Sequence, residues 1–297
     1  MLFKKILVGL LIVIPVSLFL VRASSQSAPP KAEKYVIGIP FQCGFFSIFF
    51  GTLSNIIWAK KQGKDPVVYW QKNCTYAQKG GHNGSVNEPW EYYFEPVSEQ
   101  HYEPGDTIHA SYGDPDGFGI PNGPGCYDEK FHKELKFAMH DAIEKYIRIK
   151  PVIREKIETF YQQHMQGKLV IGIHLRGTDK LLEARAHNPQ QILDKIAEFT
   201  VQIRQICWFF VATDEERLLD LAKQKFGDRV ISYNSRRSHN AIPVHYLPNK
   251  DGAIVGEEVL IEAQLLSRCK LFIHTRTNVA TAVLFFNPHI KSIFIEN

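Results

Sequence analysis

Residues 168–180, KLVIGIHLRGTDK, run from an apolar stretch into His174, Arg176, Thr178, Asp179 and Lys180. Leu169 to Ile173 read as a buried strand, so the polar groups arrive at its carboxyl end. Two further apolar runs end in the same way. WFFVATDEE delivers Thr213 and Asp214, and LFIHTRTNVATAV delivers Thr275, Arg276, Thr277 and Asn278 directly before a helical pattern. In an open parallel sheet, ligands bind outside the carboxyl ends of the strands. Taken singly, Asp214, Thr277 and Asn278 read equally well as helix caps. Three such ends on one edge, one bearing an arginine and another opening a helix, favour a phosphate-bearing ligand. A guanidinium fork grips phosphate oxygens, and a helix N-terminus offers unpaired N–H groups. The chain has neither a GxxxxGK[ST] loop nor a GxGxxG turn, which excludes a P-loop enzyme and an ordinary dinucleotide-binding domain.

The elements that must position these groups alternate regularly. Strands are expected at 168–174, 207–213, 229–232, 270–275 and 291–295. Helices are expected at about 189–204, 215–226, 256–267 and 278–286. Strands and helices in alternation imply a parallel sheet covered on both faces. Upstream, YVIGIP, FFSIFFGTLSNIIWAKKQG and PVVYW give a β-α-β signal, followed by a loop-heavy stretch from Gln71 to Gly125. From Asp128 to Gln166, Leu135, Met139, Ala142, Ile143 and Ile147 recur at helical spacing, with Pro151 breaking or restarting the helix. The expected organisation is therefore a tail at 1–34, an N-terminal α/β domain at 35–127, a helical bridge at 128–166 and a ligand-binding domain at 167–297.

The tail has Lys4 and Lys5 before an apolar run from Ile6 to Val21, then a Ser/Ala/Pro stretch. It reads as a signal anchor, with a cleaved secretory signal as the alternative. Either places the body on the non-cytoplasmic side. The remaining composition, 44% hydrophobic and 22% charged, is that of a globular protein. A formal charge of +4 suits an anionic small ligand, and no aromatic-basic stripe argues for nucleic acid. No CxxC pair gives zinc spacing. Cys207 and Cys269 read as core residues, while Cys43, Cys74 and Cys126 leave room for one disulfide in an exported domain. Asp114 and Asp116 form a DxD that reads as a turn among Gly and Pro rather than as a metal site. Asn73 and Asn83 each begin a formal glycosylation triplet.

HLRGTDK resembles the HxRxxD motif of the GDP-fucose-dependent fucosyltransferases, the group holding the alpha-1,6-fucosyltransferases, the rhizobial nodulation fucosyltransferase and, more distantly, the protein O-fucosyltransferases. FVATDE is similar to their second motif and RTNVATAV to their third. NEPWEYYFEPV, residues 87–97, is similar to an N-terminal segment of bacterial relatives. The resemblance implies a GT-B architecture, with two Rossmann-like domains facing across a cleft. It implies that Arg176 binds the β-phosphate, that His174 and Asp214 help hold the guanosine, and that Thr277 and Asn278 supply the paired polar residues of the third motif. It also implies metal-independent transfer with GDP-fucose as donor substrate and no cofactor. Two positions depart from the pattern. Gly177 stands where the alpha-1,6 enzymes carry a second arginine, and Glu183 lies three residues past Lys180 rather than four.

Sugar transfer from a nucleoside diphosphate builds negative charge on the leaving phosphate, which Arg176 and the helix beginning near Asn278 would neutralise. A carboxylate must take the proton of the acceptor hydroxyl. Glu183, tuned by Lys180 and close in sequence to Asp179 and Arg176, is the expected base. The acceptor is expected to be a glycan or glycoconjugate. Two other readings keep the same cleft: transfer from a different nucleotide sugar, and a catalytically degenerate module that binds sugar nucleotide or glycan.

Overall fold

The computed structural model describes residues 32–39, 42–86, 88–111, 113, 115, 129–177, 189–201, 203, 205–239, 242–244 and 251–295. The N-terminal apolar run, the DxD at Asp114 and Asp116, and Cys126 lie outside the described residues. Among the described residues no helix is long and apolar enough to cross a membrane.

Two all-parallel sheets organise the chain. In the first, β1 (Lys34–Ile37) is central, flanked by β2 (Asp65–Val68) and β3 (Ile108–His109). Helix α1 (Phe45–Lys61) makes the crossover between β1 and β2, as the β-α-β pattern predicts. The loop-heavy reading of 71–125 overlooked β3, because two residues carry no alternation to read. The second sheet runs in the order β6-β5-β4-β7-β8. Its strands are β4 (Leu169–Leu175), β5 (Cys207–Thr213), β6 (Val230–Ile231), β7 (Leu271–His274) and β8 (Lys291–Phe294). The chain leaves β4 in one direction and returns to β7 on its other side. The switch point therefore falls between β4 and β7, where His174 pairs in register with His274.

Helices α2 (Glu129–Tyr146) and α3 (Pro151–Phe160) precede β4. Pro151 sits in the first turn of α3, where its missing N–H costs nothing. The expected bridge is part of the packed body: α2 lies on α1 and on the later helix α7 (Asn278–Phe286), and α3 lies on α6 (Gly252–Ser267). Helices α4 (Pro189–Val201) and α5 (Glu216–Phe226) pack against each other, and Leu193, Leu218 and Leu219 join the core on that side of the sheet.

On the other face lie α6 (Gly252–Ser267) and α7 (Asn278–Phe286). Helix α6 is buried almost all round, its glutamates Glu257, Glu258 and Glu262 included. It touches β4 and β5 on one side and the short turn of helix at Pro89–Tyr92 on the other. Gly256 allows this approach, since a Cβ there would stand 2.5 Å from the Tyr93 hydroxyl. That hydroxyl donates to Ala253 O at 3.0 Å.

NEPWEYYFEPV forms the centre of an aromatic core. Trp90 and Phe94 lie 4.3 Å apart, and Tyr93 meets Phe45 edge-on at 4.9 Å. The same core continues through Phe50 against Phe285, at 5.5 Å, into the second sheet's helices. Cys207 and Cys269 are buried as expected. Among the described residues no disulfide joins Cys43, Cys74, Cys207 and Cys269. Asn83 is a correction to the glycosylation reading. Its amide donates to Tyr92 O at 2.9 Å and to Glu257 Oε2 at 2.8 Å, so its triplet is a turn, with φ of 47° that Asn tolerates.

Candidate active site

A cleft of about 380 Å³ lies outside the carboxyl ends of β4, β5 and β7, with the first turn of α1 as its opposite wall. The three polar strand ends do converge. His174, Arg176, Thr213, Asp214, Arg276, Thr277 and Asn278 all line it. Thr178, Asp179, Lys180 and the expected base Glu183 lie outside the described residues.

Arg176 leaves the end of β4 beside the end of β5, because Leu175 pairs with Thr213. Asp214 Oδ2 takes Arg176 Nε at 3.2 Å, and its Oδ1 accepts from the Gly177 backbone N–H at 2.8 Å. One carboxylate thus fixes both the arginine and the backbone that follows it. Gly177 has a steric cause. A Cβ at that position would stand 2.2 Å from Glu215 Oε2 and 2.8 Å from Leu218 Cδ1. The second arginine of the alpha-1,6 enzymes has no room in this chain.

Thr277 caps α7, its hydroxyl accepting from the Ala280 N–H at 3.0 Å. The same hydroxyl lies 3.2 Å from His174 Nδ1, tying the α7 terminus to β4 across the switch point. His174 is buried, and that burial, reinforced by Arg176 and His274, pushes its pKa down to about 3. It is neutral at physiological pH. Asn278 and Val279 bring the first turn of α7, with its partial positive charge, to the cleft wall.

Helix α6 supplies two carboxylates that the motif reading missed. Glu262 lines the cleft, accepts from the Ser235 hydroxyl at 2.8 Å and faces Arg237 at 3.4 Å. Burial pushes it up to about 7, against the opposing pull of Arg237 and Ser235 and with support from Glu258 and Asp214. Glu258 accepts from Arg236 twice, at 2.6 Å from Nη1 and 2.8 Å from the backbone N–H. Cys43, Gly44, Phe45, Phe46, Ser47 and Tyr76 complete the wall from the first half. Among the described residues no group of three His, Cys, Asp or Glu side chains is set to hold a metal ion.

Fold and site together define an α/β protein with an anion-receptive, carboxylate-backed cleft at the switch point of a parallel sheet. Residues 128–287 match the model of Nodulation protein Z (NodZ), more than half of the chain, and the protein belongs to the NodZ family. A search of curated protein sequences returns no match. The fold is similar to NodZ alpha-1,6-fucosyltransferase co-crystallised with GDP, at 19% identity and a TM-score of 0.54 over 86% of this chain and 93% of that one. It is equally similar to fucosyltransferase NodZ from Bradyrhizobium, at 19% identity and a TM-score of 0.53 over 86% and 94% of the two chains. POFUT1 in complex with GDP-fucose shares the fold at 14% identity and a TM-score of 0.53, covering 91% of this chain and 99% of that one.

Proposed function

We propose that the protein transfers fucose from GDP-fucose to a hydroxyl of a glycan or glycoconjugate, with inversion at the sugar carbon. The observation that carries this reading is the convergence of Arg176 and the α7 N-terminus on one cleft. Both are groups that stabilise a departing diphosphate. Membership of the NodZ family supports the donor, as do the GDP and GDP-fucose complexes of structures with the same fold.

The described residues divide the work. Asp214 holds Arg176 through Oδ2 and the Gly177 backbone N–H through Oδ1, and with His174 it remains our candidate for holding the guanosine. Glu262, which lines the same cleft, is a further candidate for reading the guanine, since an ionised carboxylate accepts from the paired N–H groups of a guanine edge. His174 is neutral and shares a hydrogen bond with the Thr277 hydroxyl through Nδ1. Glu183 remains our candidate base, with Lys180 and Asp179 its near neighbours in sequence. The two parallel sheets with the cleft between them support a GT-B arrangement. The apolar run from Ile6 to Val21 supports attachment to a membrane, with the body on its non-cytoplasmic side.

The test is thermal stabilisation by nucleotides followed by turnover. A ligand that binds only the native state raises stability by RT ln(1 + [L]/Kd). GDP and GDP-fucose should raise the melting temperature while UDP and ADP do not. Release of GDP in the presence of an oligosaccharide panel separates a transferase from a degenerate binder, and equal stabilisation by UDP-sugars would overturn the donor assignment.

A further inference from the structure

A second cavity, about 490 Å³, opens at the carboxyl end of β2 and is not part of the donor cleft. Its lining includes Tyr69, Tyr102, Trp90, Glu88, Lys72 and His101. Tyr69 and Tyr102 lie face to face, with ring centroids 3.8 Å apart and planes within 14°. Both are half-buried, so the pair is a rigid platform with rings still presented to solvent. Trp90 closes the inner wall. It meets Trp70 at 5.3 Å, and Trp70 meets Phe45, a wall residue of the donor cleft, at 5.8 Å. A run of aromatic contacts thus joins the walls of the two cavities.

Glu88 is the unexplained group. Its Oε2 is buried and accepts no hydrogen bond within the protein. Burial pushes its carboxyl up to about 8, with Glu91 adding to the rise and Lys72 opposing it. A neutral carboxyl both donates and accepts, which suits a hydroxyl or an acetamido group. Flat aromatic surface beside a few convergent polar groups is the chemistry of a sugar-ring site: the ring's C–H face covers the aromatic and its edge hydroxyls meet the polar groups.

We infer that this cavity is a carbohydrate subsite that holds a ring of the acceptor glycan on the Tyr69–Tyr102 platform, with Glu88 bonded to its polar edge. The role as acceptor subsite rests on the glycosyl-transfer reading; the binding itself does not. The position fits an extended acceptor, whose reacting end would reach on to the donor cleft.

The experiment measures binding of three free tetrasaccharides to the full chain without nucleotide, by calorimetry and saturation-transfer NMR. The probes are β1,4-linked N-acetylglucosamine, β1,4-linked glucose and α1,4-linked glucose. At least one should bind, with Tyr102→Ala weakening it about tenfold or more and Glu88→Met, which keeps the length but removes the polar atoms, about threefold or more. Both variants should bind GDP within about twofold of the parent protein, since neither residue lines the donor cleft. Failure of all three tetrasaccharides to bind, or unchanged affinity in Tyr102→Ala, overturns the subsite. If Tyr102→Ala also loses GDP, Glu88→Met decides alone, because it nearly keeps the side chain's volume. A parent protein that binds a tetrasaccharide but no GDP would overturn the transferase reading and leave this site standing.

Discussion

Asp214 Oδ2 lies 3.2 Å from Arg176 Nε, so the second strand end of the large sheet holds the arginine of the first. Arg176→Lys should therefore lose GDP affinity by about tenfold to a hundredfold, the worth of a charge-assisted hydrogen bond that an ammonium cannot reproduce in fork geometry. Asp214→Asn keeps one acceptor oxygen and should cost less than Arg176→Lys. Calorimetric titration of both variants with GDP checks the order, and an Arg176→Lys protein with parental affinity would remove Arg176 as the phosphate ligand.

Glu262 should give GDP binding a pH dependence of defined sign. Burial pushes its carboxyl up to about 7, and in the proposed reading the guanine edge binds its ionised form. Affinity should fall by about tenfold for each pH unit below 7 and level off above it. His174, neutral down to about pH 3, adds nothing in this range. GDP's own phosphate titration is shared by all variants, so the comparison is with Glu262→Gln, which should bind weakly and lose the slope that Glu262 contributes.

Gly177→Arg restores the arginine pair of the alpha-1,6 enzymes and should be harmful here. Its Cβ would be driven into Glu215 and Leu218. Overpacking of this kind costs about 1–3 kcal/mol. At about 2–4 °C per kcal/mol for a chain of this size, calorimetry should resolve the drop. A variant that melts with the parent and binds GDP more tightly would show that the loop after β4 relaxes to admit the side chain.

Much of this site was legible because polar residues at the end of an apolar run have few structural explanations. His174, Arg176, Asp214, Thr277 and Asn278 were found in that way, and the structure gathers them into one cleft. Glu258 and Glu262 were not, because each looks in sequence like an ordinary exposed position of a helix. Only the packing of α6 on both sides removes that possibility. The β3 strand escaped for the opposite reason, being too short to carry a period. Asn83 shows the limit of a three-residue motif, which says nothing about where the amide points.

Glu257 predicts the acid stability of the protein. It accepts from His82 Nε2 at 2.7 Å and from Asn83 Nδ2 at 2.8 Å, and it pairs with Lys156. Burial alone would raise its pKa, but these partners outweigh burial and hold it at about 2. The folded value is below the unfolded one, so the contribution is present above about pH 4.5 and lost as pH falls toward 2. Glu257→Gln should destabilise the protein at neutral pH by about 3 kcal/mol, the low end for breaking a buried pair because Lys156 is partly exposed. Denaturant titrations at pH 7 and pH 3 should show that difference shrinking in acid.

Glu183→Gln should leave GDP binding intact while transfer falls by about 100- to 10,000-fold, the usual loss for a general base. Turnover of the parent protein should survive excess EDTA. Transfer within a few-fold of the parent in Glu183→Gln would place the base elsewhere, and activity lost in chelator and restored by manganese would give Asp114 and Asp116 a metal to hold.

The double-sided burial of α6 restricts how this protein can be recombined. A chimera that keeps residues 167–297 and takes its first half from a relative must also import a ring like Tyr93 to seat against Gly256, and counterparts of His82 and Asn83 for Glu257. Without them the junction would leave a carboxylate and a helix face stranded at the seam. Retargeting to a new acceptor is better sought by point changes at Tyr69 and Tyr102, which line the second cavity and are not among the partners of Gly256 or Glu257 at that seam.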